Sequence, residues 1–222
     1  MHVLGKIKKT IRDAWAWRFE IYLRYGARSK ASPKRIREWC NSYLADLSVT
    51  RSPDRTILLQ EIFPSVLQYL GLRNRNARIL WIGCARYTKS YYDFLESTGF
   101  ECVTLERWKQ LSKWGHGSRH VVGDLKDLAM IFSDEKFDFI FCNGIFGWGV
   151  NDTRDQQVAT EAMARSLLPN GKILIGWNTD KMDDPRVNGV LKPWFQAWEL
   201  PGFGSRKSVH GTTHIYDLLQ LS

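Results

Sequence analysis

Hydrophobic positions follow two different rhythms along the chain. Leu4, Ile7, Ile11, Trp15, Phe19 and Tyr22 recur every three or four residues, with Lys6, Lys8, Lys9 and Arg12 between them, which is the stripe of an amphipathic helix. That helix stops at Gly26. Ser32-Pro33, a cap followed by a first-turn proline, opens a second helix through Ile36, Trp39, Tyr43 and Leu47. Ser52-Pro53 repeats the signature, and the helix after it runs through Leu58, Ile62, Val66 and Leu70 to Gly71, kinked or divided at Pro64. Residues 72–77 form a short basic linker.

From Arg78 the rhythm changes to short, mostly apolar runs separated by helix-length stretches. The runs are Arg78–Ile82, Cys102–Glu106, His120–Gly123, Phe137–Cys142, Lys172–Trp177 and a last one at His214–Leu219. Strands alternating with helices predict an α/β fold, a doubly wound and mostly parallel sheet of about seven strands with helices on its faces. The division that follows is a helical N-terminal extension over residues 1–75 and a catalytic-type domain over 76–222.

Composition sharpens this picture. With 44% apolar and 25% charged residues in 222, the chain is expected to bury a real core, and no apolar run is long enough to cross a membrane. The N-terminus is interrupted by charges too often for a signal peptide, so a cytoplasmic protein is expected. Cys40, Cys84, Cys102 and Cys142 are dispersed, which indicates neither a structural metal nor a disulfide framework. The net charge of +9 is lopsided: residues 1–75 hold 15 Lys and Arg against 6 Asp and Glu, whereas residues 76–222 balance at 17 each. Such asymmetry points to an anionic partner for the N-terminal third. Its apolar stripe would dock on the core, pair with a second copy in a homodimer, or lie at the inner face of a membrane.

In an open α/β sheet the ligand sits at the carboxyl ends of the strands. After the first strand comes Gly83-Cys84-Ala85-Arg86-Tyr87-Thr88, where a glycine permits close approach and a helix start offers free N–H groups. A dinucleotide fingerprint would want glycines at 85 and 88, so a dehydrogenase ranks low. The second strand ends in Glu106, 23 residues past Gly83, placed to accept hydrogen bonds from ribose hydroxyls. The third ends in Gly123-Asp124-Leu125, and the fourth in Asn143-Gly144-Ile145-Phe146-Gly147-Trp148-Gly149. Leu168-Pro169-Asn170-Gly171-Lys172 leads into the fifth.

In this order and spacing the set resembles the class I S-adenosylmethionine-dependent methyltransferases over about residues 76–178. The resemblance implies a Rossmann-like fold and S-adenosylmethionine as cofactor. It implies that Gly83, Cys84, Ala85 and Tyr87 line the methionine side, that Glu106 holds the ribose, and that Asp124 with the Leu125 amide reads the adenine edge. Asn143 and Ile145 would form the floor beneath the transferred methyl group. The family loop commonly carries glycines where this chain has Ala85 and Tyr87, a departure that bears on affinity rather than fold. Within the family the chain is most similar to uncharacterised bacterial methyltransferases of saccharide biosynthesis, which implies a saccharide or another small-molecule hydroxyl as acceptor. Asn143 is not followed by Pro-Pro-aromatic, so methylation of DNA bases loses ground.

Methyl transfer from a sulfonium is an in-line displacement that needs alignment and a dry, cation-tolerant site. Aromatic faces suit that cation, and Tyr87, Phe146 and Trp148 lie on the loops concerned. A hydroxyl acceptor would profit from a base, for which Asp152 and His214 are the leading candidates, with His116, His120 and His210 behind them. Each residue also has a structural reading. Asp152 and Asp124 can cap helices, Phe146 and Trp148 can simply pack, His214 can be an interior histidine, and Cys84 can merely fit a tight loop. The basic N-terminal helices keep an RNA methyltransferase in view, and the altered glycine loop keeps a non-catalytic scaffold.

Overall fold

The computed structural model describes residues 52–73 and 76–222. The expectations placed on the stripe from Leu4 to Tyr22 and on the helix from Ser32 therefore lie outside the described residues.

Helices α1 (Pro53–Ile57) and α2 (Phe63–Arg73) flank a π-helical turn over Leu58–Ile62. Ser52 stands at the cap position in extended conformation with Pro53 as the first helical residue, so proline's missing N–H falls where no helix partner exists. Pro64 does not end the helix. The wider π turn lies directly before it, which is how a helix commonly absorbs the hydrogen bond and the clearance that proline denies. Gly71 does not end it either, and α2 runs on to Arg73.

The sheet has eight strands: β1 (Arg78–Ile82), β2 (Glu101–Glu106), β3 (His120–Val122), β4 (Phe137–Asn143), β5 (Leu167–Asn178), β6 (Phe195–Ala197), β7 (Arg206–Ser208) and β8 (His214–Leu221). They lie in the order β3-β2-β1-β4-β5-β8-β6, with β7 also paired to β8. The first five are parallel, and β8 inserts antiparallel between β5 and β6. Six strands match the apolar runs of the sequence. The short β6 and β7 went unrecognised there and bring the six to eight, against the expected total of about seven.

Alternation along β1 divides the core. Ile79 and Trp81 face one side, where α1, α2 and α3 (Lys89–Ser97) pack with Phe63, Tyr91 and Phe141. Trp81 stacks on Phe141 with ring centroids 4.8 Å apart. Leu80 and Ile82 face the other side, against α4 (Leu128–Ile131) and α5 (Thr153–Arg165). Leu58, Leu59, Ile62, Phe63, Val66 and Leu70 are all buried in the first of these layers, so the helix that begins at Pro53 is part of the sheet's own covering.

Candidate functional site

The carboxyl ends of β1, β2, β3 and β4 open onto a cavity of about 270 Å³. All nine residues expected to hold the cofactor line it: Gly83, Cys84, Ala85, Tyr87, Glu106, Asp124, Leu125, Asn143 and Ile145. Gly83 has φ +86°, and a Cβ there would come within 2.8 Å of Ile145 Cδ1, so only glycine lets the loop cross the floor residue this closely.

Glu106 is the buried charge of the site, 6% exposed. Its Oε2 accepts the Cys84 N–H at 2.7 Å and its Oε1 the Trp108 N–H at 2.8 Å. A carboxylate offers about four lone-pair positions, so two backbone donors leave acceptor capacity for hydroxyls in the cavity. Asp124 does two things: its Oδ1 accepts the Lys126 N–H at 3.0 Å as a cap, and its other oxygen stands 3.6 Å from Arg107 Nε. Burial pushes the Cys84 thiol up to about 11, which keeps it neutral and unreactive as a nucleophile.

The aromatic residues separate. Tyr87 is on the wall, but the Arg55 guanidinium covers its ring at 3.7 Å from the centroid. Phe146, expected to face the sulfonium, is fully buried in the second core layer. The loop curls back, with the Gly147 N–H donating to the Val150 carbonyl, and Phe146 sits inside the curl rather than on the cavity. Trp148 remains at the rim, 62% exposed, with Lys181 over its ring at 5.1 Å. Trp108 matches it from the β2 side, 51% exposed, with Arg107 over the ring at 4.9 Å. Sequence reasoning passed over Trp108, although its place just after Glu106 at a strand end was the available signal.

Asp152 stands apart from the cavity. It caps α5, its Oδ1 accepting the Asp155 N–H at 2.8 Å. His214 does not line the cavity either; its Nε2 lies 3.0 Å from Asn143 Oδ1 and its Nδ1 3.2 Å from Asn178 Oδ1. Burial lowers its pKa from the ordinary histidine value, and the Asp54 carboxylate opposes this. Arg55 and Leu58, from α1 and the turn after it, also line the cavity and were not anticipated.

A protein-family model described as a methyltransferase domain matches residues 80–175, the stretch that supplies most of this wall. A buried carboxylate beside a glycine-turned loop fits S-adenosylmethionine, the cofactor that such a domain implies. No curated protein matches the chain. Among solved structures, a TehB-like SAM-dependent methyltransferase from Corynebacterium glutamicum is similar at 18% identity and TM-score 0.56, over 86% of this chain and 100% of its own. N-methyltransferase NodS from Bradyrhizobium japonicum, in complex with S-adenosyl-L-homocysteine, is similar at 16% identity and TM-score 0.53, over 82% of this chain and 97% of its own. A methyltransferase from Clostridium acetobutylicum gives 12% and 0.54, over 72% and 90%. At these identities the likeness is one of fold.

Among the described residues, no group of His, Cys, Asp and Glu could hold a metal ion, and no helix is long and apolar enough to cross a membrane.

Proposed function

We propose that the methyltransferase domain methylates a hydroxyl of a saccharide or similar small molecule held at the rim between Trp148 and Trp108. The observation that carries the cofactor half of this reading is the convergence of nine residues, from four separate strand ends, on one cavity. S-adenosylmethionine, when bound, supplies an electrophilic methyl group on a sulfonium.

The chain's own residues would bind and orient. Glu106 accepts from the ribose hydroxyls, and the Asp124 carboxylate with the Leu125 amide reads the adenine edge. Asn143 and Ile145 form the floor on the acceptor side. Across the rim, a Cβ on Gly149 would lie 4.0 Å from Arg107 Nη1, so the Arg107 side chain reaches from the β2 loop to the β4 loop. Trp148 and Trp108 leave large rings exposed on two sides of the cavity mouth. Their flat apolar faces match the C–H face of a pyranose, while Asn178, Thr213 and Asp180 next to Trp148 supply polar partners for its hydroxyls.

The test has two stages. Calorimetric titration with S-adenosylhomocysteine should give micromolar affinity, lost in Glu106→Ala. Radiolabelled methyl transfer to a panel of mono- and oligosaccharides, with amines for comparison, should then find a hydroxyl acceptor. Trp148→Ala should lower that transfer by about tenfold or more with homocysteine-product affinity kept, as expected for loss of one aromatic contact surface. Labelling of amines alone would overturn the hydroxyl reading.

A further inference from the structure

From the rim beside Trp148 to the cavity floor runs a chain of side chains whose donor and acceptor roles can be worked out from one end. Asp180 is an acceptor, and Thr213 Oγ1 donates to it at 2.6 Å. With its proton so committed, Thr213 accepts from Asn178 Nδ2 at 3.0 Å. Asn178 Oδ1 is then fixed as an acceptor, taking the Trp148 indole N–H at 3.3 Å and facing His214 Nδ1 at 3.2 Å. The other nitrogen of His214 lies 3.0 Å from Asn143 Oδ1. Two acceptor oxygens thus face the two ring nitrogens, which only a doubly protonated imidazolium satisfies.

Burial opposes that charge. The charges that act on the ring are the Asp54 carboxylate, which favours the cation, and the Arg55 guanidinium, which disfavours it, both from the start of α1. Tyr216 packs edge-on beneath, with ring centroids 4.5 Å apart, and its hydroxyl donates to the Asp54 carbonyl. A neutral His214 has one N–H, and Asn178, which cannot turn over, claims it at Nδ1. Nε2 is then a bare acceptor that requires the amide N–H2 of Asn143, and the Asn143 carbonyl is released to the cavity it lines.

We propose that His214 is a positioning residue: it selects which end of the Asn143 amide the cavity floor presents, the carbonyl when the ring is neutral and the N–H2 when it is protonated. Space is reserved for this pair and nothing else. Gly176, between them on β5, would with a Cβ come within 1.8 Å of Asn143 Oδ1 and 2.9 Å of His214 Nε2. A carbonyl there accepts a hydrogen bond from an incoming O–H or N–H nucleophile and from the polarised hydrogens of a methyl on sulfur; an N–H2 group offers neither of them an acceptor. The role rests on the methyltransferase reading only in what the floor faces.

Two measurements test it. The first needs no cofactor: two-bond ¹H–¹⁵N correlation of the histidine rings in the free protein, with His214 assigned by its absence in His214→Gln. The expected result at about pH 8 is the Nδ1–H tautomer; an Nε2–H tautomer overturns the proposal. The second compares S-adenosylhomocysteine with sinefungin, which carries an amine where the methyl would be. The preference for sinefungin should fall about fivefold or more from pH 8 to pH 5 in the native chain and be independent of pH in His214→Leu. A pH dependence that survives in His214→Leu overturns the role. Absence of homocysteine-product binding in the native chain sinks the methyltransferase reading instead, and the tautomer result still decides what His214 does to Asn143.

Discussion

The Glu106 carboxylate accepts the backbone N–H of Cys84 at 2.7 Å, which ties the end of β2 to the loop leaving β1. The residue assigned to the ribose therefore also shapes the loop assigned to the methionine. Glu106→Ala should lower S-adenosylhomocysteine affinity by about 100-fold, since charge-assisted hydrogen bonds contribute about 1.5 to 3 kcal/mol each. Glu106→Gln should cost about 1 to 3 kcal/mol of stability as well, because its N–H2 end would meet one of two backbone donors. Calorimetry and urea unfolding separate the two effects.

Gly176→Ala is predicted to destabilise the fold by about 1 to 3 kcal/mol, the usual cost of forcing a methyl into a filled space. Gly144→Ala, where a Cβ meets nothing within 4 Å, has only its φ of +70° against it and should cost less. Equal losses in urea unfolding would argue against close packing of Asn143 and His214 around Gly176.

Asp217, fully buried on β8, is held by Arg186 and Arg206 and accepts the Trp177 indole N–H at 2.8 Å. Asp217→Ala leaves Arg186 without its carboxylate and Arg206 with Asp184 alone, and should cost about 3 to 5 kcal/mol by chemical denaturation.

Arg206 also grips Asp184, and its hydrogen bonds hold that carboxyl below the ordinary value of 3.8. A depressed carboxylate stabilises the fold above its unfolded pKa, and the stabilisation is lost as pH falls through the folded one. Acid unfolding should therefore steepen below pH 3.8, and Asp184→Asn should flatten that limb without changing the slope near pH 7.

Cys84, with its thiol pushed up to about 11, should resist iodoacetamide at about pH 8, where only about one molecule in a thousand carries a thiolate. Mass spectrometry of the folded protein reads this directly; rapid alkylation would mean that the loop opens.

Much of this arrangement was legible in the sequence because strand ends announce themselves. Six apolar runs became strands, and the residues after β1, β2, β3 and β4 became the cavity wall. What escaped depended on distant partners. The three-residue strands β6 and β7 pair with β8 and have no pattern of their own. Arg55 reaches the wall because α1 packs on the sheet, a fact of tertiary contact that periodicity cannot carry. Asp152 and His214 were read by residue type, yet one is spent on a cap and the other sits a layer behind Asn143. Phe146 and Trp148 are two residues apart in one loop, and only its backward curl decides that the first is core and the second rim.

The place of β8 also sets an order of assembly. During synthesis the strands that wall the cofactor cavity emerge first, while β6 and β7 emerge with no sheet neighbour to receive them. Only when His214–Leu221 slots in beside β5 do those two strands gain partners and Asn143 its histidine. The walls of the cavity can thus stand before Asn143 meets its histidine, and it is β8 that joins the two halves of that pair.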